Sequence, residues 1–118
     1  MYTIVLDTNF LITALKFRID IFDEIEKRCD FRYDLAVLDK SLNELKGKPG
    51  EKLIKELLDV KKVKVIKTDT KDYVDDILVS LTGKYIIATQ DMELRKRLKG
   101  KPIMFIRQKR YVEIKNVL

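Results

Sequence analysis

The stretch Tyr2-Thr3-Ile4-Val5-Leu6-Asp7-Thr8-Asn9-Phe10-Leu11-Ile12 constrains this chain more than any other. Thr3 to Leu6 reads as a short buried strand, and Thr8 and Asn9, both good N-cap residues, open an apolar helix predicted over Phe10 to Lys16. The strand therefore delivers Asp7 to its own carboxyl end, where open α/β sheets build their sites. Taken alone, Asp7 reads as a helix cap. The acids further along the chain change that reading.

The same rhythm continues. Ile21, Phe22, Ile25 and Cys29 recur at helical spacing, with Asp23, Glu24, Glu26 and Lys27 facing out. Leu35 to Leu38 is a second buried strand, after which Asp39 or Ser41 is expected to cap a short helix carrying Leu42, Glu44 and Leu45. Lys46-Gly47-Lys48-Pro49-Gly50 is a loop and lacks the spacing of a phosphate-binding loop. A helix over Glu51 to Asp59 presents Leu53, Ile54, Leu57 and Leu58 on one face. Val63 to Ile66 reads as an edge strand. Asp69 or Thr70 is expected to start a helix bearing Val74, Ile77, Leu78 and Leu81 that stops at Gly83. Tyr85 to Ala88 is a strand, followed by Thr89-Gln90-Asp91 and a helix reaching Gly100. Pro102 to Ile106 is a strand, and Tyr111 to Ile114 a weaker one. Strands alternating with helices at this spacing imply a parallel sheet covered on both faces.

At 118 residues the chain is expected to be one domain over 1–118. No apolar run approaches the roughly 20 residues that span a bilayer, and no signal peptide or membrane association is expected. Cys29 is the sole cysteine, which excludes an internal disulfide framework and fits a reducing, cytoplasmic setting. It reads as a small core hydrophobe. Histidine is absent, which removes Ser-His-Asp and Cys-His catalysis.

Charge is unevenly placed. Residues 84–118 hold ten Lys/Arg against Asp91, Glu93 and Glu113, and so outweigh the whole chain's net +6. A basic final third on an otherwise balanced chain points to a polyanionic partner, with nucleic acid first in line. Arg95, Arg97, Arg107, Lys109 and Arg110 are its candidate RNA contacts. Heat adaptation would explain the abundance of charge, but not its segregation. Tyr85 and Phe105 read as strand core, which leaves Tyr111 as the aromatic to watch for base stacking.

Asp7 follows the first strand, Glu44 comes soon after the second, and Asp91 follows the strand at Tyr85 to Ala88. Parallel strands share one carboxyl edge, so these three acids converge there. Asp75 and Asp76 lie in the helix feeding that last strand. An all-oxygen donor set suits Mg²⁺ or Mn²⁺, and clustered carboxylates repel one another without a cation. Such a site beside a basic surface points to phosphodiester cleavage by a metal-activated water. On a helical wheel Asp75 lies about 110° from the centre of the apolar face and Asp76 about 150°, so Asp75 is the expected direct ligand.

These residues carry a resemblance. Ile4-Val5-Leu6-Asp7-Thr8-Asn9-Phe10, Leu42-Asn43-Glu44-Leu45, Val74-Asp75-Asp76-Ile77-Leu78 and Ile87-Ala88-Thr89-Gln90-Asp91 resemble the PIN-domain nucleases. From Val74 onward, Tyr85 to Asp91, Glu93-Leu94-Arg95-Lys96-Arg97-Leu98 and Pro102 to Ile106 are similar to the branch that includes the rRNA-processing endonuclease of the small-subunit processome. The resemblance implies a three-layer α/β/α fold around a five-stranded parallel sheet. It implies a metal site of Asp7, Glu44, an acid of the Asp75/Asp76 pair, and Asp91, with Thr8, Asn9 and Thr89 in support. The implied activity is a Mg²⁺- or Mn²⁺-dependent endoribonuclease acting on an rRNA precursor, as a homodimer or with a protein partner in ribosome assembly. Within nucleases the alternative is a VapC-like toxin paired with an antitoxin. Outside them it is a PIN-like scaffold that binds RNA without cutting it. Phosphoaspartate enzymes fit poorly, because the second acid wanted two residues after the first is here Asn9.

Overall fold

A computed structural model describes residues 1–117. In chain order the elements are β1 (Tyr2–Leu6), α1 (Thr8–Lys16), α2 (Ile21–Arg28), β2 (Tyr33–Leu38), α3 (Asp39–Glu44) and α4 (Glu51–Val60). They continue with β3 (Lys64–Ile66), α5 (Val74–Ser80), β4 (Tyr85–Ala88), α6 (Met92–Arg97), β5 (Ile103–Arg107) and β6 (Tyr111–Lys115). The sheet runs β3-β2-β1-β4-β5-β6. Its first five strands are parallel, while β6 folds back antiparallel onto β5. The expected five-stranded parallel sheet is therefore extended to six by the weak strand at its C-terminal end.

Strand β1 sits near the middle, and its alternate side chains feed two cores, since successive residues point to opposite faces. Ile4 and Leu6 pack with Phe10, Leu11 and Ala14 of α1, Ile25 of α2, and Ile54 and Leu58 of α4. Val5 faces the other way, toward Ile77 and Leu78 of α5 and Leu94 and Leu98 of α6. This is a three-layer α/β/α arrangement. No helix among the described residues is long and apolar enough to cross a membrane.

Several local expectations are corrected. Helix α1 begins at Thr8, with Asp7 itself in the cap position. Neither Asp39 nor Ser41 caps α3, because Leu38 holds the cap position and the Asp39 carboxylate reaches across to Thr68. Helix α5 starts at Val74, not at Asp69 or Thr70, and Leu81 lies beyond its last turn. The intervening loop is drawn off by the Lys40 ammonium, which donates to the carbonyls of Thr70 and Asp72. On α4 only Ile54 and Leu58 are buried, whereas Leu53 and Leu57 stay exposed beside the i, i+4 seam. Helix α6 ends at Arg97, short of Gly100.

Other features match the sequence reading. Strand β3 lies at the sheet edge with Val65 exposed. Cys29 packs against the first core, and burial pushes its thiol up to about 11. The 46–50 segment turns through Gly50 at φ +83, where an added Cβ would strike the Leu15 side chain. Phe105 is buried and Tyr85 packs against the second core, while Tyr111 lies half-buried under the Arg28 guanidinium.

Candidate active site

The carboxyl edge of the two central strands assembles the acids. Leu6 pairs with Ala88 across β1 and β4, so the residues that follow them, Asp7 and Thr89, emerge side by side. Both are buried, at 4% and 0% exposure. Asp7 Oδ2 accepts from the Thr89 hydroxyl at 2.8 Å and Oδ1 from the Thr8 backbone N–H at 2.9 Å. Asp7 is thus both the residue in the cap position and a fixed, buried carboxylate. Burial pushes it up to about 6 against the pull of those two hydrogen bonds, and the charges of Glu44 and Asp75 push the same way.

Thr89 ties this carboxylate to the loop after β4. Its oxygen accepts from the Asp91 N–H at 3.2 Å, while Asn9 Oδ1 accepts from the Gln90 N–H at 2.9 Å. Asp91 in turn caps α6, its Oδ1 accepting from the N–H groups of Glu93 and Leu94. Glu44, at the end of α3, reaches the site through Thr8, whose hydroxyl lies 3.0 Å from Glu44 Oε1 and 3.1 Å from the Ser41 carbonyl. Asp75 is half-buried, and its carboxyl is raised by burial and then by the charge of Asp91. Asp76 points into solvent and pairs with Arg97 at 2.7 Å. The charges of Glu44 and Asp75 thus act on Asp7, and those of Asp91 and Asp76 on Asp75, while Asp76 itself stays exposed on the rim.

The donor chemistry fits a hard divalent cation. It is all oxygen, and two of its carboxyls are raised by burial and by neighbouring carboxylates, a cost that a bound cation reverses. As placed, no three acidic side chains among the described residues stand close enough together to grip one ion.

Of the expected RNA contacts, Arg97 is engaged with Asp76 and Arg107 with Glu113. Arg95 lies over the Phe105 ring and Lys109 over Phe17. Arg110 is exposed in the β5–β6 turn.

Two supports of the site carry no signal that singles them out in the sequence. The Gln90 side-chain amide both donates to and accepts from the Ile106 backbone, fastening the Asp91 loop to β5. Lys40 and Asp39 strap down the segment leading to α5. For Gln90 no local signal exists, because its partner is main chain 16 residues away.

The chain is similar to known proteins in family, in sequence and in fold. The family described as "PIN like domain" matches residues 4–109. "Ribonuclease VapC4" of Methanocaldococcus jannaschii is 33% identical over an alignment of 128 positions, gaps included, which covers 97% of each chain. A solved structure, "Structure of the PIN domain endonuclease Utp24", superposes with a TM-score of 0.84 at 21% identity over 99% of this chain and 93% of that one.

Proposed function

Because the chain belongs to the PIN-like domain family, we propose that it is an endoribonuclease dependent on Mg²⁺ or Mn²⁺, working in rRNA processing in the cytoplasm. A 33% identical ribonuclease, aligned over nearly all of both chains, supports RNA cleavage. The observation that carries the metal reading is Asp7, a carboxylate buried at the sheet's carboxyl edge and pushed up to about 6 beside further acids.

In this reading Asp7, Glu44, Asp75 and Asp91 would hold the cation, which when bound would polarise the phosphodiester and acidify an attacking water. The chain's own residues do the positioning. Thr8 and Thr89 fix both oxygens of Asp7, so that carboxylate enters the reaction already oriented. Thr89 couples it to the Asp91 turn, and Asn9 with Gln90 keeps that turn against β5. Glu44, hydrogen-bonded through one oxygen to Thr8, is the most exposed of the four and the freest to swing toward substrate.

rRNA processing is favoured by the motifs from Val74 onward and by the basic final third. The second reading, a VapC-like toxin held by an antitoxin, is favoured by the relative's name and full-length match. The experiment is cleavage of an end-labelled single-stranded RNA with Mn²⁺, with Mg²⁺ and with EDTA. Internal fragments that appear only with a metal, and disappear in Asp91→Asn, support the proposal. Cleavage that persists in EDTA overturns it. Growth arrest on expression, relieved by co-expressing a neighbouring small gene, would favour the toxin reading over processing.

A further inference from the structure

The second face of the sheet is unevenly covered. Helices α5 and α6 pack over β1, β4 and β5, while the far strand β6 extends past them, and a groove of about 390 Å³ opens between α6 and the β5–β6 hairpin. Phe105 forms its floor. The Arg95 guanidinium lies 4.3 Å from the centre of that ring, and the Lys115 ammonium 5.6 Å from it. Lys96, Lys99 and Asn116 complete the walls. Lys115 stands opposite α6 because β6 is antiparallel and pairs it with Ile103 at the far end of β5.

The cations of this region fall into two groups. Arg97 is paired with Asp76, Arg107 with Glu113, and Lys96 loosely with Glu93 at 3.5 Å. Arg95, Lys99 and Lys115 form no ion pair among the described residues. Arg95 Nε is buried without a hydrogen-bond partner, while the same guanidinium donates to Met92 Sδ and is held against the ring. A desolvated donor with no acceptor is costly, and an anionic oxygen entering the groove removes that cost. The mouth begins at Met92, the residue after Asp91, and the Arg95 N–H donates to the Asp91 carbonyl. Arg95 thus lies one turn of α6 beyond Asp91, and Lys99 and Lys115 line the groove farther along.

We propose that the groove between α6 and the β5–β6 hairpin is the track for the phosphodiester backbone of single-stranded RNA. The identity of the strand rests on the nuclease reading, while the groove's preference for a polyphosphate stands on its own charges. The track selects Arg95, Lys99 and Lys115 and leaves Arg97 and Arg107 to their acids. Phosphates seated here anchor the strand beside carboxylates that by themselves repel it.

The test is fluorescence anisotropy of a labelled 12-nucleotide single-stranded RNA in EDTA across a KCl series. The pair Lys99→Gln/Lys115→Gln changes exposed residues and leaves the fold intact. It should raise Kd about tenfold and flatten the logarithmic salt slope by about 1.4, two phosphate contacts at roughly 0.7 each. The control pair Lys52→Gln/Lys55→Gln, on α4 in the opposite layer, should change neither. An unchanged slope in the groove pair, or an equal loss in the control pair, overturns the track. So does polyglutamate binding as tightly as RNA, which would make the groove an acidic-protein dock. Cleavage is read separately with Mn²⁺. Groove-dependent binding without any cleavage by the wild-type protein would sink the nuclease reading alone. Cleavage whose KM is unmoved by the groove pair would sink the track alone.

Discussion

Replacing Asp7 by Asn should make the metal-free protein more stable at neutral pH while abolishing its cleavage. The Asp7 carboxyl moves from an ordinary 3.8 to about 6 on folding. The native state therefore holds a proton that the unfolded chain releases between those values, and stability falls as pH rises through the window. Above about pH 6 the full penalty applies, roughly 3 kcal/mol for a shift of some two units at 1.36 kcal/mol each. Below about pH 4 the penalty is absent. Asn avoids it but weakens the charge-assisted bonds from Thr8 and Thr89, leaving a net gain of about 1–2 kcal/mol. For a chain of 118 residues, about 1 kcal/mol moves Tm by roughly 4 °C, so the variant should melt about 4–8 °C higher at pH 8. The assay is thermal unfolding by circular dichroism in EDTA at pH 8, 6 and 4.5, with the gap closing as pH falls. Added Mn²⁺ should raise the wild-type Tm and leave the variant nearly unmoved. A variant less stable than wild type at pH 8, or a gap independent of pH, would refute the claim that burial of this charge dominates its energetics.

Asp75→Asn should weaken Mn²⁺ binding and cleavage more than Asp76→Asn, because Asp75 is half-buried and feels the Asp91 charge while Asp76 is exposed and paired with Arg97; the reverse order in calorimetric titration and rate assays would reassign the ligand. Thr89→Val removes the buried hydroxyl between Asp7 and the Asp91 N–H, and should cost about 1–3 kcal/mol in urea unfolding together with about tenfold or more in cleavage rate. Gln90→Leu should loosen the Asp91 loop, read as faster amide hydrogen exchange at residues 89–91 and a lowered kcat with little change in KM. Lys40→Met frees the segment before α5, and faster exchange around Thr68 to Asp72 is the expected sign.

What the sequence by itself determined is the alternation of strand and helix, and with it the parallel sheet. Ile4-Val5-Leu6 is apolar on both alternating faces, so it can only lie between two layers, and the aspartate that follows must emerge at the edge where parallel strands end. That much is local patterning. Tertiary structure decided what depends on distant main chain and on competition for partners. Tyr111 to Lys115 becomes a sixth strand because β5 offers it an open edge. Helix α5 starts late because Lys40, some 30 residues earlier in the chain, holds the preceding carbonyls. Two neighbouring aspartates part company because one is half-buried within reach of the Asp91 charge and the other is exposed and paired with Arg97. The basic residues sort into paired and unpaired for the same reason. A sequence states each charge, but only the fold sets the distances and solvent exposure that decide which charges neutralise one another.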